Sequence, residues 1–322
     1  MFYPLKFYPI YKEKIWGNKK IVEYFKKSST LSKIGESYEL SCTNTDVSII
    51  ANGIFKGLPI KDLIKKYPIE ILGQNVYNKY KDFFPLLFKF IDANDNLSIQ
   101  VHPDDNYAKL KYNLPGKTEM WYIIDAEEKS YIIAGFSKKI NKNEFINLLN
   151  NNEIEKVLNK IPVKAGDVIF IPAGLIHSIG KGILLAEIQQ NTDITYRIYD
   201  YDRIDETGKK RELHINDALN VINFDFINFQ PIKYNSVKNS ISNIIKCDYF
   251  TVNEIKVNKF KINISNANNT FKVLMIIKGK GKIKYGNYTE IFTLGETILI
   301  PAILTNVEIE TEEETLILET TL

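Results

Sequence analysis

Only three histidines occur among 322 residues, and two of them sit where other metal-donating side chains recur at suggestive spacings. In LSIQVHP (97–103), read as a strand, Leu97, Ile99 and Val101 face one way while Ser98, Gln100 and His102 face the other. An amide and an imidazole two residues apart on one strand face can share a partner. Glu119 opens the apolar run EMWYII (119–124) and follows Lys117 by two, so a strand places these two on one face as well. His177 stands four residues past Ala173, after Ile-Pro-Ala, where the chain should turn back into a new strand. Histidine and glutamate donors with no cysteine suit borderline or harder divalent ions, Zn²⁺ first among them. Each residue also has an ordinary reading: a loop histidine beside Pro103 and the Asp104-Asp105 pair, a solvated glutamate at a strand end, a histidine in a turn. Their joint placement in strand hairpins favours the metal.

The elements that must position these donors are mostly strands. Short alternating runs with Gly, Asn, Asp or Pro at their ends include ESYELSC (36–42), GDVIFIPA (166–173), ILLAEIQQ (183–190), KVLMIIKGKGKIKYG (272–286), GETILIPA (295–302) and ETLILET (314–320). Strands at this density predict a mainly β fold of the sandwich or barrel type. Helical spacing is confined to insertions: LPIKDLIKKYPIEILG (58–73) as one short helix followed by a proline-started turn, NKNEFINLLNNNEIEKVLNK (141–160) as one or two helices, and LHINDALNVIN (213–223) as a third, capped by Asn216. GDVIFIPAGLIH (166–177) and GETILIPAILTN (295–306) share the glycine, an isoleucine within the apolar run and the Ile-Pro-Ala, and so predict two barrels of one type in tandem. On that alignment Asn306 falls where His177 stands, so the second copy lacks the ligand. The polar stretch near 232–243 is the expected junction, dividing the chain into a catalytic, metal-binding domain at 1–235 and a second barrel at 236–322.

Composition narrows the class. The chain has 42 basic against 39 acidic residues, a formal charge of +3 and no dominant basic block, which argues against nucleic acid as a partner. Cys42 and Cys247 are the only cysteines, too few and too far apart for a disulfide framework or a thiolate site, and are expected to be buried thiols. The opening MFYPLKFYPIYKEKIW has charges among its apolar residues and no small-residue cleavage site, and no apolar run reaches the roughly 18 residues of a membrane span. The expectation is a cytoplasmic protein with neither membrane nor nucleic-acid partner.

Four stretches, LSIQVHPDD (97–105), GKTEMWYII (116–124), IPAGLIHSIG (171–180) and TDITYRIYDYDR (192–203), resemble the short bacterial mannose-6-phosphate isomerases, zinc-dependent members of the cupin superfamily. Weaker echoes at IWGNK (15–19), IGESYELS (34–41) and RELHINDAL (211–219) extend the likeness over most of residues 1–225. Tyr38 stands where that family has a tryptophan, and Asn18 where it has a second glycine. The resemblance implies tandem cupin-type jelly-roll barrels and one Zn²⁺ ligated by His102, Glu119 and His177. Gln100 would be a fourth donor, Arg197 an active-site arginine, and Ser98 and Lys117 part of the substrate pocket.

The activity implied is interconversion of mannose 6-phosphate and fructose 6-phosphate, in which a proton moves between C1 and C2 through an enediol. A divalent ion stabilises the charge that grows on the substrate oxygens, and a positioned acid and base add about 10²–10⁴-fold. Arg197 and Lys117 are the cations available for the phosphate and for proton transfer, and at this stage either could take either role. Arg197 could instead pair with Asp200 or Asp202, and Lys117 could lie at a surface. His214, at the start of the third helix, is read as structural, and the KGKGKIKYG stretch as a strand because no helix follows it. Two alternatives stay open: a non-catalytic sugar-phosphate-binding or regulatory cupin, and an iron-dependent cupin oxygenase.

Overall fold

The structure, a computed structural model, describes residues 2–205, 207–265 and 270–322. Apolar side chains at every second position cannot be satisfied by an isolated strand, and the chain resolves this by closing pairs of antiparallel sheets over shared interiors. One six-stranded sheet runs in the order Ile10–Asn18, Ile34–Leu40, Leu86–Ala93, Ile183–Gln190, Glu119–Ala126, Val168–Ile171. It faces a five-stranded sheet ordered Tyr196–Tyr199, Ile99–Val101, His177–Ile179, Tyr131–Phe136, Leu158–Pro162. Trp121, Ile123, Ile169, Leu185 and Ile91 from the first pack with Ile132, Ala134, Ile161 and Ile179 from the second. The outer face of the five-stranded sheet buries Ile99, Val101, Ile133, Tyr196 and Ile198 against Phe145 and Ala218 of the helices Lys142–Asn150 and Ile215–Val221. Burying each side chain of this size contributes about 1.5–3 kcal/mol.

The second pair repeats the plan. Leu5–Lys6, Thr297–Ile300, Lys272–Lys278, Glu314–Thr321, Thr251–Asn258 and Ser240–Lys246 form one sheet, in that order. Lys261–Ser265, Asn306–Thr311, Gly281–Tyr285 and Tyr288–Phe292 form the other. Ile255, Leu274, Ile276, Ile283, Phe292, Ile298, Ile309 and Ile317 fill the space between them. Tandem cupin-type barrels are thus the architecture.

Registers place the two barrels on one another residue by residue. Glu119 pairs with Ile171 in the first, and Lys272 pairs with Ile300 in the second. Trp121 pairs with Glu187, as Leu274 does with Glu319. His177 opens the strand after its Ile-Pro-Ala, and Asn306 opens the strand after the other. The second barrel therefore carries lysine where the first has the carboxylate.

Two compact units emerge, and neither is one continuous run: Tyr11–Ser37 with Phe88–Ile232, and Met1–Ile10 with Tyr38–Leu87 and Lys233–Leu322. The expected division at 235/236 assigned residues 1–10 and 38–87 to the catalytic domain. They group with the second barrel because backbone pairing ties them there: Phe271 N–H donates to Leu72 O (3.1 Å), Ala302 N–H to Ile71 O (3.0 Å) and Ile303 N–H to Glu70 O (3.0 Å). The 58–73 stretch forms two helices, Ile60–Lys66 and Pro68–Leu72, and a further helix, Gln74–Tyr80, follows that the spacing did not predict. The third predicted helix is capped by His214 rather than Asn216, which lies inside it, and no side chain bonds the cap. Cys42 is buried as expected, whereas Cys247 is only partly so. Among the described residues no helix is long and apolar enough to cross a membrane.

Candidate metal centre

Local structure delivers the three donors from separate segments. His102 follows directly on the strand Ile99–Val101, and its carbonyl accepts Gly174 N–H (2.9 Å), which ties the His102 loop to the turn before His177. Asp104 caps the helix Asp105–Tyr112 by accepting Tyr107 N–H (2.8 Å), so the chain must swing away immediately after the histidine. Gly116 permits the close approach of the next segment: a Cβ there would lie 2.5 Å from Asp104 C and 2.6 Å from Asp105 N. Lys117 N–H then donates to Pro103 O (3.0 Å), and Glu119 begins its strand one turn of pleat further on. His177 lies across from Gln100 on one side and Ala134 on the other, which sends its ring inward with Gln100.

Both imidazoles are oriented the same way. His102 Nδ1 lies 2.9 Å from Ile194 O and His177 Nδ1 2.8 Å from Leu175 O. A carbonyl can only accept, so each Nδ1 carries the proton and each Nε2 presents a lone pair. His102 Nε2 lies 3.6 Å from Glu119 Oε2, and His177 Nε2 lies 3.4 Å from Glu119 Oε1. One donor atom from each of the three residues falls within 4.8 Å of the others, and all three side chains are at most 1% exposed. His102 Nε2 and both Glu119 oxygens lack an aligned hydrogen-bond partner. Such buried lone pairs are costly unless something positive sits among them.

Protonation follows from the surroundings. Burial, then the Lys117 charge, pulls His102 down to about 3, and burial lowers His177 too, so both rings are neutral. Burial alone would raise Glu119, but the Lys117 ammonium beside it outweighs this and holds the carboxyl well below its ordinary range. Two neutral imidazoles and one carboxylate fit a divalent cation of the zinc type, with each histidine held from behind by a carbonyl.

The other expected residues surround this centre. Gln100 Nε2 is 3.3 Å from His177 Nε2, and Ser98 Oγ donates to Gln100 Oε1 (3.3 Å). Lys117 is buried, its Nζ 3.2 Å from Glu119 Oε2. Arg197 lies opposite Gln100 in the neighbouring strand, on the same face. Its Nη1 donates to Glu212 O (2.7 Å), while its Nε is buried without a partner. It does not pair with Asp200 or Asp202, which are taken by Arg203 and Arg211 and by Lys210 respectively. His214 is structural: its N–H donates to Arg197 O (2.7 Å) and its Nδ1 accepts Arg197 N–H (3.3 Å).

Sequence reading missed a row of charges inside the same barrel. Glu187 accepts Trp121 Nε1–H (2.9 Å) and lies 3.2 Å from Lys89 Nζ; Lys89 lies 3.9 Å from Glu36, and Glu36 2.8 Å from Lys14. Burial, then the nearby Glu119 charge, raises Glu187, whereas Lys89 and Lys14 outweigh burial at Glu36 and bring it to about 2. The signal was present: Lys89 interrupts LLFKFIDA and Glu187 interrupts ILLAEIQQ, each inside an otherwise buried strand.

A jelly-roll barrel whose interior gathers two imidazoles and a carboxylate defines a metal-binding cupin. Residues 5–134 match the family model for the phosphomannose isomerase type I catalytic domain, and residues 240–318 match that for the mannose-6-phosphate isomerase cupin domain. The chain is 34% identical over 299 residues to mannose-6-phosphate isomerase ManA of Bacillus subtilis, spanning 92% of this chain and 93% of that one. It is 42% identical over 210 residues to the mannose-6-phosphate isomerase of Streptococcus mutans, 65% of each chain. The crystal structure of the Bacillus subtilis mannose 6-phosphate isomerase superposes with a TM-score of 0.88 at 33% identity, over 99% of each chain. A holo, zinc-bound mannose 6-phosphate isomerase at 14% identity shares the fold with a TM-score of 0.78. The chain belongs to the type I mannose-6-phosphate isomerase family.

Proposed function

We propose that the protein interconverts mannose 6-phosphate and fructose 6-phosphate, with one Zn²⁺ held by His102, Glu119 and His177. The observation that carries this reading is the convergence of two carbonyl-locked imidazoles and a carboxylate without an aligned hydrogen bond at one buried point. Gln100 is the fourth donor: its amide already touches His177 Nε2, and a half-turn of that amide exchanges NH₂ for the carbonyl oxygen. When bound, zinc supplies Lewis-acid stabilisation of the charge that develops on the substrate's oxygens.

The remaining work falls to the chain. Lys117 Nζ, buried beside Glu119, stands at the reacting end and is the group placed to hold or pass the C1–C2 proton. Arg197, whose buried Nε has no partner, offers its fork to the phosphate. Ser98 orients Gln100. The barrel formed by 11–37 and 88–232 is the catalytic part, and the second barrel, with Lys272 and Asn306 at the ligand positions, holds no metal.

Elemental analysis together with a coupled assay on mannose 6-phosphate tests this directly. About one zinc per chain with turnover is expected. Bound metal without turnover would favour the non-catalytic sugar-phosphate-binding cupin, and turnover surviving complete removal of metal would overturn the proposal.

A further inference from the structure

Two arginines grip a single carboxylate on the segments that flank Arg197. Asp200, 5% exposed, accepts from Arg203 Nη2 (2.6 Å) and Arg211 Nε (2.7 Å), and Arg211 Nη2 makes a second bond to it. Between Asp200 and Arg203 the chain passes through Tyr201 and Asp202, both left-handed at φ 56° and 53°. Two consecutive non-glycine residues in that region are strained and persist only when their surroundings hold them. The hold is visible: Arg203 N–H and Nε both donate to Asp200 O (3.1 and 3.3 Å), and Arg203 Nη1 reaches Asn96 O.

The same carboxylate governs the return of the chain. Arg211 is gripped by Asp200, and the residues directly after it bind Arg197. Glu212 O accepts Arg197 Nη1–H, and His214 exchanges backbone and ring hydrogen bonds with the Arg197 backbone. Arg203 and Arg211 donate to Asp200 and Asn96, whereas Arg197 keeps a buried Nε–H without a partner.

We propose that Asp200 is the positioning residue for Arg197: it clamps Arg203 and Arg211 so that the Arg211–His214 segment holds the Arg197 guanidinium aimed at the substrate's phosphate. This rests on the reading of Arg197 as the phosphate-facing group. Without the carboxylate, the Arg203 and Arg211 guanidinium groups lose their shared counter-charge, and the segment carrying Glu212 O is released. Burial and the Arg211 charge already press on the Arg197 cation, and Asp200 opposes them.

The test is Asp200→Asn in the full-length, zinc-loaded protein. A KM for mannose 6-phosphate raised about tenfold with kcat little changed is expected, the pattern of lost substrate binding rather than lost chemistry. The inhibition constant of inorganic phosphate should weaken by the same factor, with zinc content unchanged. Asp200→Glu should recover most of the loss, and Arg211→Gln, which leaves the Arg203 pair in place, should reproduce part of it. Unchanged KM and phosphate inhibition in Asp200→Asn, or a fall in kcat alone, would overturn the proposal. Should the wild-type protein lack isomerase turnover, the reading of the site fails, and direct titration of wild type and variant with inorganic phosphate still decides the role of Asp200.

Discussion

His102 and His177 are made into donors by one device, a backbone carbonyl behind each Nδ1, from Ile194 and Leu175. Because the carbonyls fix the tautomer before any ion arrives, the cost of ordering the rings is met in folding. His102→Ala should leave Glu119 and His177 unable to hold the ion: zinc by elemental analysis should fall from about one per chain towards zero, and kcat/KM by at least about 10³-fold. Asp92 offers a separate test of how burial acts on a single carboxyl. It sits 1% exposed on the strand Leu86–Ala93, accepting Lys20 N–H (2.9 Å), and burial lifts its pKa to about 6 despite that bond. Unfolded, such a group titrates near 3.9. Between these values the native chain binds more protons than the unfolded one, so stability falls as pH rises from about 4 to 6. Asp92→Asn should remove that part of the slope, and melting temperatures compared at pH 4 and pH 7 read it out.

At the scale of elements, the centre depends on segments passing unusually close. Gly116 lets the stretch leading to Glu119 lie against Pro103, Asp104 and Asp105, whose backbone atoms would stand 2.5–2.8 Å from a Cβ. Backbone cannot yield as a flexible side chain would, so Gly116→Ala must push the two ligand-bearing segments apart. A loss of about 1–3 kcal/mol in stability is expected from the overpacking. A fall of at least about tenfold in kcat/KM should accompany it, since small displacements of positioned groups are expensive in rate. Denaturant titration and steady-state assay together check this. Much of the element pattern could be read from alternation: EMWYII, ILLAEIQQ and both Ile-Pro-Ala hairpins are strands where period two puts them. The helix Gln74–Tyr80 was not legible, because QNVYNKY has one buried apolar residue, Val76, and hence no periodic stripe.

For the molecule as a whole, the two barrels show how one scaffold gains or loses a metal site. Lys272 stands at the register position of Glu119, and its Nζ lies 2.6 Å from Glu319, itself at the position of Glu187 and accepting Asn253 Nδ2–H (2.8 Å). A tethered ammonium thus neutralises the carboxylate in the second barrel. Lys272→Met should strand the 2%-exposed Glu319 and cost about 3 kcal/mol, adding Glu319→Leu should restore most of it, and zinc content and turnover should not change; calorimetry on the three proteins decides. By itself the sequence determined the mainly β architecture and the duplication, because strand alternation and hairpin punctuation are local, and two scarce histidines in strand hairpins raised the donor set as an expectation. Only the tertiary structure decided that residues 38–87 pack with the second barrel, that Lys89, Glu36 and Glu187 form one buried row, and that Asp200 serves Arg203 and Arg211 rather than Arg197. Those facts rest on which distant segments share an interior, and no local period encodes that.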